Sequence, residues 1–132
     1  MQSMKTIMTI TATVLVALVL AACASGAPVR DVSGASFDRS HDMDTVRTAI
    51  IRAGANRGWR MQPQDDGHII ARLEVREHMA EVDIHYDADS FDITYRDSEN
   101  LNYDPDTGMI HPNYNGWVQN LERDIHNELV AM

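Results

Sequence analysis

His68-Ile69-Ile70-Ala71-Arg72-Leu73-Glu74-Val75-Arg76-Glu77-His78-Met79-Ala80-Glu81-Val82-Asp83-Ile84-His85-Tyr86 is the stretch whose reading decides the fold. Apolar and polar residues alternate through both halves, the two-residue period of strands that bury one face. Ile69, Ala71, Leu73 and Val75 share a face in the first half; Ala80, Val82, Ile84 and Tyr86 share one in the second. Phe91, Ile93 and Tyr95 extend the pattern into a further strand. Upstream, Trp59 and Met61 alternate with polar residues as far as Pro63. Gln64-Asp65-Asp66-Gly67 then supplies turn chemistry, with Gly67 free to take positive φ.

These faces set expected registers. A two-residue connection at Glu77-His78 pairs Val75 with Ala80, Leu73 with Val82, Ala71 with Ile84 and Ile69 with Tyr86. A four-residue connection from Asp87 to Ser90 pairs Tyr86 with Phe91, Ile84 with Ile93 and Val82 with Tyr95. The opposite face then sets Arg72 against Asp83, Glu81 against Arg96 and His85 against Asp92. A one-residue slip would turn every apolar side chain to the wrong face.

Helical periodicity flanks the strands. From Asp42 to Gly58, Met43, Val46, Ala49, Ile50 and Ala53 recur at three- and four-residue spacing, with Asp42 as cap and Gly58 as stop. From Asn113 to Val130, Trp117, Leu121, Ile125 and Leu129 form a second stripe; Pro112 precedes it and Asn113 is the expected cap. The expected fold is α+β in two layers, α-β-β-β-β-α: a four-stranded antiparallel meander covered on one face by two helices.

The full chain has 132 residues, 11 Lys+Arg against 20 Asp+Glu, and one Cys. That length suits one small domain. A net charge of −9 argues against nucleic acid or anionic lipid headgroups as partners, since both would repel it. A lone cysteine excludes an internal disulfide framework and a multi-cysteine zinc site. Ile7 to Leu20 is apolar apart from three threonines, follows Lys5, and ends in Leu20-Ala21-Ala22-Cys23. Fourteen residues are short of the roughly 20 needed to span a bilayer, but suit the apolar region of a signal peptide.

Small residues immediately before the only cysteine resemble the bacterial lipoprotein signal, the lipobox. The resemblance implies cleavage before Cys23 and acylation there, hence a membrane partner reached through a lipid anchor. Ala24 and Ser25 follow without an Asp, which in a Gram-negative host implies sorting to the outer membrane. Removing Lys5, the only lysine, from the 11 basic residues leaves ten arginines against 20 acids, a net charge of −10. The expected organisation is signal peptide 1–22, acylated Cys and flexible tether 23–41, and one domain 42–132. The tether, Ala24 to about Ser40, is small and polar and would span roughly 20–25 Å as a coil.

Chemistry-bearing groups are sparse. His85 with Asp92 could relay a proton, but a charge ladder on a solvated sheet face is the plainer reading. The six histidines, at 41, 68, 78, 85, 111 and 126, lack the close spacing of a helical zinc site. Asn102, Asp104 and Asp106 alternate like the start of a calcium loop. The pattern fails at Thr107, where Gly belongs, and at Asn113, where Glu belongs, leaving an ordinary Asp104–Gly108 turn. No G-x-S-x-G elbow or phosphate-cradling glycine loop is present. Neither a catalytic set, a metal site nor a cofactor is therefore expected.

The long connection from Tyr95 to Trp117 is the best candidate for recognition. Tyr95, Ser98, Asn100, Tyr103, His111, Tyr114, Asn115 and Trp117 combine aromatic faces with amides and hydroxyls, suited to an envelope protein or a polar ligand. A small polar ligand or divalent cation held by the same loop is the alternative. Tyr95-Arg96-Asp97-Ser98-Glu99-Asn100-Leu101-Asn102-Tyr103, Ile110-His111 and Tyr114-Asn115-Gly116-Trp117-Val118 resemble a family of short proteobacterial lipoproteins of uncharacterised activity. The resemblance runs over about residues 43–129 plus the lipobox. It implies an envelope location and brings no activity.

Overall fold

The computed structural model describes residues 26–132, so Cys23 and the signal segment before it lie outside the described residues. In chain order the elements are β1 (Ala27–Pro28), β2 (Val32–Ser36), α1 (Met43–Asn56), β3 (Arg60–Pro63), β4 (His68–Val75), β5 (His78–Tyr86), β6 (Ser90–Glu99), β7 (Met109–Ile110) and α2 (Pro112–Val130). The fold is α+β, as the periodicities require. Its main sheet is antiparallel and five-stranded rather than four, in the order β2-β6-β5-β4-β3, and β1 pairs with β7 in a separate two-stranded sheet.

The extra strands come from the segment read as a flexible tether. Within 23–41, β1 and β2 are ordered strands. Low apolar content misled the expectation, because these strands are held mainly through backbone. The outer edge of β6 would otherwise leave its amides and carbonyls unpaired. Val32 pairs with Ile93 and Ala35 with Phe91, and a register irregularity lies between them, where Gly34 takes φ 61°. Carboxylates from both sides complete the junction: Asp31 accepts from the Tyr95 amide at 3.2 Å and Asp92 from the Gly34 amide. Val32 is buried, and Phe37 stacks on Phe91 with centroids 5.7 Å apart.

The β5–β6 register is the expected one, with Tyr86 opposite Phe91, Ile84 opposite Ile93 and Val82 opposite Tyr95. Beyond Val82 it shifts, so that Glu81 faces Asp97 rather than Arg96. The β4–β5 register differs from expectation by two residues: Leu73 faces Ala80, Ala71 faces Val82 and Ile69 faces Ile84. A shift of two preserves both faces, so alternation cannot detect it. The tip decides. Arg76 adopts φ 57° and Val75 pairs with His78. The Asn100 amide donates to the Glu77 carbonyl and the His78 Nδ1–H to the Asn100 carbonyl, both at 2.7 Å.

Both helices pack on the inner face. Val46, Ala49, Ile50 and Ala53 of α1 and Tyr114, Val118, Leu121, Ile125 and Leu129 of α2 join Ile69, Ala71, Val82, Ile84, Phe91 and Ile93 in one core. Asp42 caps α1 by accepting from the Asp44 amide at 2.9 Å. At the other end, Gly58 at φ 88° lets its own amide reach the Ala55 carbonyl and that of Trp59 reach the Gly54 carbonyl. The α2 cap is His111, with Pro112 in the first turn, so the helix starts ahead of the expected Asn113 cap. Proline lacks the amide that position would leave unpaired. Arg57 to Asp124 and Arg52 to Glu128 tie the helices together on their solvent side.

Candidate functional site

The segment expected as a long connection from Tyr95 to Trp117 is strand β6 as far as Glu99, and it divides into a recess and a set of structural struts. Tyr95 leaves β6 on the inner face and stacks on Tyr103, with centroids 4.1 Å apart and planes 28° apart. Its hydroxyl is 2.7 Å from the Ser98 hydroxyl. Burial pushes the Tyr95 phenol pKa up, against the Ser98 hydrogen bond, which lowers it. Asn100 and Asn102 hold φ 59° and 53°, a left-handed backbone that asparagine tolerates better than most side chains. The two tyrosines, Arg96, Asp97, Ser98, Asn100, Leu101 and Asn102 line an open recess of about 490 Å³. Leu101 forms its buried floor.

Four of the eight expected residues therefore meet: Tyr95, Ser98, Asn100 and Tyr103. The other four serve the framework. Tyr114 is fully buried, edge-on to Tyr95 at 5.7 Å, and its hydroxyl finds no partner among the described residues. His111 accepts the Asn113 amide at 3.1 Å through Nδ1, the cap of α2. Asn115 reaches back to β1, accepting from the Arg30 amide and donating to the Pro28 carbonyl, both at 2.9 Å. Trp117 is half-buried against the core. Arg96, Asp97, Leu101 and Asn102, outside that set of eight, also line the recess. Arg96 and Asp97 sit where the β5–β6 pairing shifts, an irregularity with no signature in the alternation.

The outer face of the sheet is an ionic lattice. Arg72 reaches Glu74 at 2.8 Å and Glu81 at 3.1 Å, while Arg96 reaches Asp83 at 3.0 Å and Glu81 at 3.7 Å. The hydrogen bonds to Glu74 and Glu81 raise the Arg72 pKa further above its ordinary value. His68 Nε2–H donates to Asp83 at 2.7 Å, and its ring stacks on His85 at 4.4 Å. His85 does pair with Asp92 in register, but the Asp92 carboxylate is engaged by the Gly34 amide. Ion pairs and hydrogen bonds thus run across the strands as a ladder on this face. Asp104 accepts the Asp106 amide at 2.9 Å, and Gly108 donates to the Asp104 carbonyl at 2.8 Å, so the acidic segment is a closed turn. Among the described residues, no three His, Cys, Asp or Glu side chains gather where they could hold a metal ion.

No protein-family model, curated protein or solved structure matches the chain.

Proposed function

We propose that this chain is a lipid-anchored lipoprotein of the bacterial cell envelope whose periplasm-facing domain is a non-catalytic interaction module. The anchor reading is supported by the Lys5–Cys23 pattern, with its apolar run, small residues and sole cysteine. In a Gram-negative host the inner leaflet of the outer membrane is the place it fits. Recognition is assigned to the recess at the end of β6.

One observation carries that assignment: the Tyr95–Tyr103 stack stands half-open beside Asn100 and Asn102, whose left-handed backbones turn the loop around it. Flat aromatic faces beside amides suit a polar surface such as a folded partner's loop or an extended peptide. A photo-cross-linker replacing exposed Asn102 in intact cells should give one dominant adduct, which Tyr103→Ala should abolish while the domain stays folded. Adducts unaffected by Tyr103→Ala would overturn the recess as the recognition surface. The second reading, a small polar ligand, uses the same recess, where Arg96, Asp97 and Ser98 supply charge and hydroxyl. Its mark would be loss of the protein adduct when small periplasmic solutes are added back to washed cells.

A further inference from the structure

We propose that the anchor holds this domain against the bilayer in one orientation. The end built from β1, β7, the 100–108 loop and the start of α2 meets the headgroups, and the β3–β4 and β5–β6 turns point away. The proposal rests on acylation at Cys23, as read above.

Little chain separates the acylated cysteine from the fold. Only Ala24, Ser25 and Gly26 separate Cys23 from β1. Three extended residues reach about 11 Å at most. Gly26 is itself pressed against β7, where a Cβ would collide with the Ile110 carbonyl. Just beyond, Ala27 pairs with Ile110 and Pro28 with Met109, and the Val29 amide donates to the Gly108 carbonyl at 2.8 Å. Asn115 grips Pro28 and Arg30 from α2. Chain entry is thus clamped at one end of the fold.

The fold is longer than that leash. The ten residues of β6 at about 3.3 Å each separate the two ends by roughly 30 Å. The clamped end sets Asp104 and Asp106 beside exposed Arg76 and Arg96, a mixed surface rather than a basic patch for anionic headgroups, so the orientation is assigned to the clamp. The Tyr95–Tyr103 recess then lies on the membrane side and reads partners at or in the bilayer surface. A groove of about 390 Å³ between Phe37, His41, His126 and Val130 lies on the far side.

The test uses the full, processed chain. Because Cys23 is the only cysteine, Asp106→Cys and Asp66→Cys each create a single labelling site, at the near and far ends. Each labelled protein is reconstituted in phosphatidylcholine vesicles carrying a headgroup-attached quencher. Quenching several-fold stronger at position 106 than at 66 is expected, and a long Gly/Ser spacer inserted after Ser25 should equalise the two. Equal quenching without the spacer, in protein that floats with the vesicles, overturns the orientation and leaves the lipoprotein reading standing. Protein that does not float with them overturns both. Asymmetry that survives the spacer overturns the clamp as its cause.

Discussion

Tyr114 shows at the scale of one residue what packing can demand of a polar group. Its ring fills the core beneath Tyr95, while its hydroxyl is buried without a partner among the described residues. An unsatisfied buried hydroxyl costs about 1–3 kcal/mol, so Tyr114→Phe should stabilise the domain by about 1 kcal/mol in urea unfolding. A loss of stability would show that the hydroxyl is held. Burial drives the Tyr114 phenol pKa well above the ordinary tyrosine value, with nearby Asp31 adding to the effect. Stability from this neutral group is therefore complete below the ordinary tyrosine range and lost as pH rises through the folded value. Spectrophotometric titration should find one tyrosine ionising only with alkaline unfolding, and Tyr114→Phe should remove it. Asp87 has the opposite sign. Amides of Asp89 and Ser90, each at 2.8 Å, hold its carboxyl below the usual range. Its contribution is present above that range and disappears as pH falls through the folded value, which carboxylate NMR titration would follow. Neither role was legible beforehand. Tyr114, Asn115 and His111 carry the same functional groups as a binding loop, and only three-dimensional neighbours reveal a core ring, a clamp and a cap.

Single elements were legible where side chains carried the signal and opaque where backbone did. Both helices and the β5–β6 register follow from spacing, because each position commits an apolar group to one side. The β4–β5 register escaped by two residues, since Asn100, from a distant strand end, secures the hairpin tip. A double-mutant cycle should find Arg72 coupled to Glu81 by about 0.2–1 kcal/mol, and no direct coupling to Asp83. Coupling to Asp83 alone would restore the other register. Strand β2 was missed because Ser33, Gly34 and Ser36 resemble linker and contribute mainly main-chain bonds. Its importance can be measured. Deleting residues 26–36 should expose the β6 edge and make the domain prone to aggregate. Unchanged solubility and cooperativity would return the segment to the status of a linker.

For the molecule as a whole, charge and topology tell different stories. Several carboxylates are engaged by Arg72, Arg96, Arg57 and a backbone amide, which leaves the net charge unchanged but makes its distribution over the surface uneven. The recess was half legible: Tyr95, Ser98, Asn100 and Tyr103 are close in sequence and stay close in space, whereas Arg96 and Asp97 enter through a strand irregularity. Sheet order has a kinetic consequence. β4, β5 and β6 are sequential neighbours joined by tight turns, while β2 and β3 occupy opposite edges with α1 crossing between them. Val32 must therefore wait for Ile93, made far later, before it has a ladder to join. Closing that long loop is slow beside hairpin formation. Pulsed hydrogen exchange during refolding should protect β4–β6 amides before those of β2; simultaneous protection would argue against this order. The first strand of the main sheet to be synthesised is thus the last to be secured, and a chain emerging from its N-terminal end can complete that sheet only once β6, ending at Glu99, has followed.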